Sequence, residues 1–123
     1  MTARFAYRFL LVAADPQRLD QLSESVKADF PRAQIHETLE PSEVADYCRA
    51  NVYDLIWLAS DVEDVESVRR SVRELDNDNR DTGILAFAPA AGPVADLTGL
   101  MFAPSVEDKS YLEVAKVLIT LKK

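Results

Sequence analysis

The chain has 123 residues, 48% hydrophobic and 28% charged, with 14 Lys and Arg against 21 Asp and Glu, for a formal net charge of -7 and a pI near 4.6. The length suits one domain, 1–123, around one core, and the composition is that of a folding chain rather than a disordered one. Its negative field disfavours nucleic acid or an anionic membrane surface as partner and points to proteins.

One cysteine, Cys48, and one histidine, His36, form neither an internal disulfide nor a Cys/His metal site, so a reducing, cytoplasmic setting is expected, with no metal or other cofactor. Met1 to Leu11 carries two arginines but no long apolar stretch, and no apolar run approaches ~18 residues, so neither secretion nor membrane insertion is expected.

Tyr7 to Ala14 (YRFLLVAA) is a near-continuous apolar run, the pattern of a strand buried on both faces of a parallel sheet. Asp15 then Pro16 reads as an N-cap with proline at the first helical position, and Leu19, Leu22, Val26 and Phe30 fall on one face of a helix ending near Phe30. Arg32 to Thr38 is short, polar and alternating, as an edge strand would be, which makes His36 a solvated strand residue. A helix over Ser42 to Asn51 turns Val44, Tyr47 and Cys48 inward, with Cys48 as small core filler.

Asp54 to Ala59 (DLIWLA) is a third strand, and Ser60 or Asp61 with Glu63 or Asp64 reads as a capping box. Val62, Val65, Val68, Val72 and Leu75 then recur at spacings of three and four, the cleanest amphipathic stripe in the chain. Gly83 to Ala88 is a fourth strand, Leu100 to Phe102 the core of a fifth, and Lys109 to Leu121 a last helix. Strands alternating with helices predict an α/β fold, a doubly wound five-stranded parallel sheet with helices on both faces. Between the last two strands lies APAAGPVADLTG, too broken by proline and glycine for more than about one turn, so the fourth helix is short or missing.

The order of elements, the VAADP stretch at Val12 to Pro16, the strand Tyr53 to Ala59 and the proline after the fifth strand, Pro104, together resemble the response-regulator receiver domain, a CheY-like fold. The resemblance covers Arg8 to Leu121. It implies that an acidic pair holding Mg²⁺ would stand at Ala13 and Ala14, the phosphoryl-accepting aspartate at Ala59, an orienting threonine or serine at Ala88, and a lysine at Ala103. The reporting aromatic of the fifth strand is matched by Leu100.

Phosphoryl transfer needs a nucleophilic carboxylate, a divalent ion and charge-neutralising donors within reach of one another, and alanine supplies none of these. Ser60 and Asp61 lie next to the acceptor position and read as helix caps, with a displaced acceptor at Asp61 as the alternative. The expectation is a pseudo-receiver with no catalytic residues, not an enzyme, acting as a protein-interaction or dimerisation module in bacterial-type signal transduction.

Three glycines, at 83, 92 and 99, make no phosphate loop, so a nucleotide site has no motif behind it. The last helix has more apolar surface than one buried face needs. Tyr111, Val114, Ala115 and Leu118 face inward, Leu112 and Ile119 flank one side, and Val117 and Leu121 the other. With Leu100 and Phe102 of the fifth strand, Leu112, Val117, Ile119 and Leu121 form the candidate interface for a protein partner or a homodimer, the face that receivers use by resemblance. The competing account has Met101, Phe102 and the Pro-rich loop covering it. A second candidate is Arg69, Arg70 and Arg73, which would serve a small-ligand or cyclic-dinucleotide sensor, with ion pairs to Glu66 and Glu74 as the competing account.

Overall fold

Apolar runs too short for helices and bounded by turn residues leave the backbone one way to satisfy its polar groups while burying both side-chain faces: a parallel sheet covered on both sides. The computed structural model describes residues 7–59, 62, 65–76, 79, 82–87, 100–103 and 111–122, the backbone alone for 100–103, 111, 112, 114 and 120–122. The elements are β1 (Arg8–Val12), α1 (Pro16–Asp29), β2 (Gln34–Thr38), a 3₁₀ turn (Pro41–Glu43), α2 (Val44–Ala50), β3 (Leu55–Leu58), α3 (Val65–Arg73), β4 (Gly83–Phe87), β5 (Leu100–Ala103) and α4 (Tyr111–Lys122).

The five strands run parallel in the order β2-β1-β3-β4-β5. The expected five-stranded sheet is present, and the polar, alternating β2 lies at its edge. The interval in which a short or missing helix was expected, 88–99, lies outside the described residues, as do Ser60, Asp61, Glu63 and Asp64 of the expected capping box.

Alternation along each strand divides the core in two. Phe9, Leu11, Leu55, Trp57, Leu85 and Phe87 lie on the face that also holds buried residues of α1 and α4. Leu10, Val12, Ile56, Leu58, Ile84 and Ala86 lie on the face shared with α2 and α3. Central strands buried on both faces have no polar alternation to show, which is why β1, β3 and β4 read as continuous apolar runs.

The predicted stripes of α1 and α3 land inward: Leu19, Leu22, Val26 and Phe30, and Val62, Val65, Val68, Val72 and Leu75, are all buried, while on α2 Val44 and Cys48 are buried and Tyr47 partly so. Each such side chain stabilises the fold by roughly 1.5–3 kcal/mol relative to exposure. Asp15 caps α1 as expected, its Oδ2 accepting from Gln17 N at 3.0 Å and Arg18 N at 3.2 Å. Gly83 lets α4 sit directly on β4, since a Cβ there would lie 2.8 Å from Leu118 Cβ.

Candidate functional site

Open α/β sheets bind their ligands at the C-terminal ends of the parallel strands. Val12 pairs with Leu58 and Leu58 with Ala86, so the next row across the sheet is Ala13, Ala59 and Phe87, with Ala103 opposite Phe87 on β5. Ala13 N donates to Thr38 O at 3.2 Å and Ala59 N to Val12 O at 2.9 Å, which carries the ladder through this row. Val62 N then donates to Ala59 O at 3.1 Å as the chain turns towards α3.

The backbone therefore brings Ala13, Ala59 and Ala103, three of the five positions that the receiver resemblance marks, into one row with Phe87. Ala13 is fully buried and Ala59 nearly so, while Ala14 is exposed. Ala103 is described in backbone only, and Ala88 lies outside the described residues. Lower on the same face, towards the start of β1 and β3, the core is aromatic: Phe9, Phe30 and Trp57 meet edge to face at centroid distances of 5.2 to 6.0 Å. Trp57 stacks on Phe87 at 6.3 Å. The nearby carboxylate of Asp15 is occupied as the α1 cap. Among the described residues, no three His, Cys, Asp or Glu side chains are grouped to hold a metal ion.

Two of the three α3 arginines, Arg69 and Arg73, hydrogen-bond within the domain, while the Arg70 side chain is largely exposed. Arg69, largely buried, grips Glu66 through Nε at 3.0 Å and Nη2 at 2.5 Å, and Arg70 Nη2 lies 3.6 Å from the same carboxylate. These contacts, the Arg69 hydrogen bond first, hold the Glu66 carboxyl below the usual carboxylate range. Arg73 Nη1 donates to Thr82 O at 2.7 Å. The Arg69 pair with Glu66 is the ion pair expected from their spacing, and Arg70 lies at the margin of the same carboxylate.

On α4, Ala115 and Leu118 are buried as predicted, but Ile119, expected on the flank offered to a partner, is also buried, at 5% exposure. Its ring of neighbours is the α1 and α4 core, so it belongs to this chain's interior. Val117 is 47% exposed, which makes it the candidate interface residue whose side chain is seen to face solvent. The side chains of Leu100, Phe102, Leu112 and Leu121 lie outside the description.

His36 differs from its expectation. It is half-buried on β2, and its Nδ1 lies 2.7 Å from the hydroxyl of Tyr53, a fully buried residue just before β3. Sequence reasoning also missed a polar clamp at the opposite end of the sheet. Asn79, fully buried, donates through Nδ2 to Cys48 O at 2.6 Å and Asn51 O at 2.5 Å, and its Oδ1 accepts from Tyr53 N at 2.8 Å. Thr82 Oγ1 lies 3.1 Å from both Tyr53 O and Asn79 Oδ1. The clamp ties the segment before β4 to the turn between α2 and β3, satisfying backbone groups that would otherwise be buried unpaired. An asparagine in a polar stretch carries no sequence signal of such a role.

No family model matches the chain, and no curated protein matches it in sequence. Solved structures do match in fold. The chain is similar to the signal receiver domain of a signal transduction histidine kinase from Syntrophus aciditrophicus, with a TM-score of 0.70 and 16% identity over 94% of this chain and 91% of that one. A sensor protein from Polaromonas sp. JS666 superposes with a TM-score of 0.73 and 13% identity, over 96% of this chain and 99% of that one. The receiver domain of a sensor histidine kinase from Pseudomonas aeruginosa, solved with a magnesium ion coordinated in its active-site cleft, gives a TM-score of 0.67 and 15% identity, over 94% and 97%. The fold is the CheY-like receiver fold. At these identities the likeness speaks for the fold alone.

Proposed function

We propose that this chain is a receiver-type domain without a phosphoryl switch, one that works by presenting a single conformation to a protein partner in signal transduction. The observation that carries the reading is the set Ala13, Ala14, Ala59, Ala88 and Ala103, at the positions where a receiver holds its metal, accepts the phosphoryl group and neutralises its charge. A methyl group neither attacks phosphorus, nor ligates Mg²⁺, nor pairs with an anion. The reading therefore assigns the domain no enzymatic activity and no cofactor.

Partner recognition is assigned to the β5 and α4 face, with Val117 at its exposed part, and its occupant is a second copy of the chain or another protein. The net charge of -7 supports a protein partner over nucleic acid or an anionic membrane, and a fully buried Cys48 outside any disulfide suits a cytoplasmic setting. No described helix is long and apolar enough to cross a membrane. Incubation with acetyl phosphate and Mg²⁺ followed by intact mass measurement tests the central claim. The expected result is an unchanged mass, and a stoichiometric adduct on the unsubstituted chain would overturn it.

A further inference from the structure

Ala13, Ala59 and Phe87 form one row across the ends of β1, β3 and β4 and are 0%, 5% and 2% exposed. All three belong to the core cluster that holds the buried residues of α1 and α4, and the Phe87 ring of the row stacks on that of Trp57. Ala14, the next residue along the chain, faces solvent. A receptacle for a phosphoryl group or a divalent cation needs water or fixed polar groups around it, because an ion moved among apolar atoms loses its hydration without replacement. Among the described residues, the side chains that share a core cluster with this row are apolar.

From this row we infer that the hydrophobic core has been extended through the end of the sheet, so that the receiver's pocket is sealed by packing as well as stripped of its functional groups. The inference rests on the proposed reading of the domain as a receiver without phosphorylation, and adds that putting the acceptor carboxylate back does not reopen the site. The seal is a conformational lock: α1 and α4 share one continuous apolar core with the strand ends, and no charge can be seated there to move them.

The test compares Ala59→Asp with its neutral isostere Ala59→Asn. A carboxyl in a dry row has a raised pKa in the folded state, so the Asp variant is least penalised when protonated. Its stability falls as pH rises from about 3.9, the unfolded value, and levels off above the folded pKa. The expected outcome is that Ala59→Asp melts on the order of 10 °C below Ala59→Asn at pH 8, with the gap closing towards pH 4. With Mg²⁺ and beryllofluoride it shows no bound fluoride by ¹⁹F NMR. A gap that does not change with pH, or a bound beryllofluoride signal, would overturn the seal.

Alanine methyls in the unsubstituted protein provide a test that needs no variant to fold. With a soluble paramagnetic agent, Ala13 and Ala59 should relax as slowly as the buried Ala86 while Ala14 relaxes fast, and Ala13 and Ala59 behaving like Ala14 would refute the inference. An adduct on the unsubstituted chain sinks the proposed function. One confined to Ala59→Asp leaves that function standing and sinks only the seal.

Discussion

Burial pushes the Tyr53 phenol from its ordinary value of 10.0 up to about 12, with the neighbouring Cys48 adding to the rise. Between those values the folded chain keeps a proton that the unfolded chain releases, so stability is intact below pH 10 and is lost progressively as pH rises towards 12. Thermal melts from pH 8 to pH 12 should show the unsubstituted protein losing on the order of 5 °C more than Tyr53→Phe over that range. Parallel losses in the two proteins would mean that Tyr53 ionises freely in the fold. Residue identity had announced the alanines at the strand ends, because a missing carboxylate is visible as a letter. It could not announce Asn79 or the pairing of His36 with Tyr53, because those roles come from segments 17 to 31 residues apart being brought together.

Gly83 opens β4 and, at the level of elements, sets how closely α4 approaches the sheet. An alanine there would place its Cβ 2.8 Å from Leu118 Cβ and 3.3 Å from Leu55 Cδ1. Neither Leu118 Cβ nor β4 can move without shifting an element, so Gly83→Ala costs about 1–3 kcal/mol of overpacking. The gain of roughly 0.4–1 kcal/mol from restricting the unfolded chain offsets this only in part. Urea denaturation should therefore give a lower midpoint at unchanged slope, and a midpoint equal to or above that of the parent would show that α4 slides freely on β4. The strands and the stripes of α1 and α3 were legible because period is a local property. The inward face of α4 was legible less fully: eight of its twelve positions are apolar or aromatic, so the helical wheel could not tell that Ile119 goes into the core while Val117 stays out.

For the whole molecule, the net charge of -7 sets how copies meet. Two like-charged domains repel, and salt screens the repulsion over a Debye length of about 8–10 Å. If the β5 and α4 face pairs two copies, sedimentation velocity should show a mass that grows with protein concentration and grows further at high salt. A monomer at every concentration and salt level would leave a different protein as the occupant of that face. The sequence by itself determined the order of elements, the edge position of β2, the cap at Asp15 and the alanines at positions 13, 14, 59, 88 and 103, since each depends on local periodicity or on residue identity. Only the tertiary structure decided that Ala13 and Ala59 share one buried row with Phe87, that Arg69 pairs with Glu66 and Arg73 with Thr82 O, and that Asn79 clamps the far end of the sheet. Burial and partnership are properties of pairs distant in the chain, and they take a value only once the sheet has set the register.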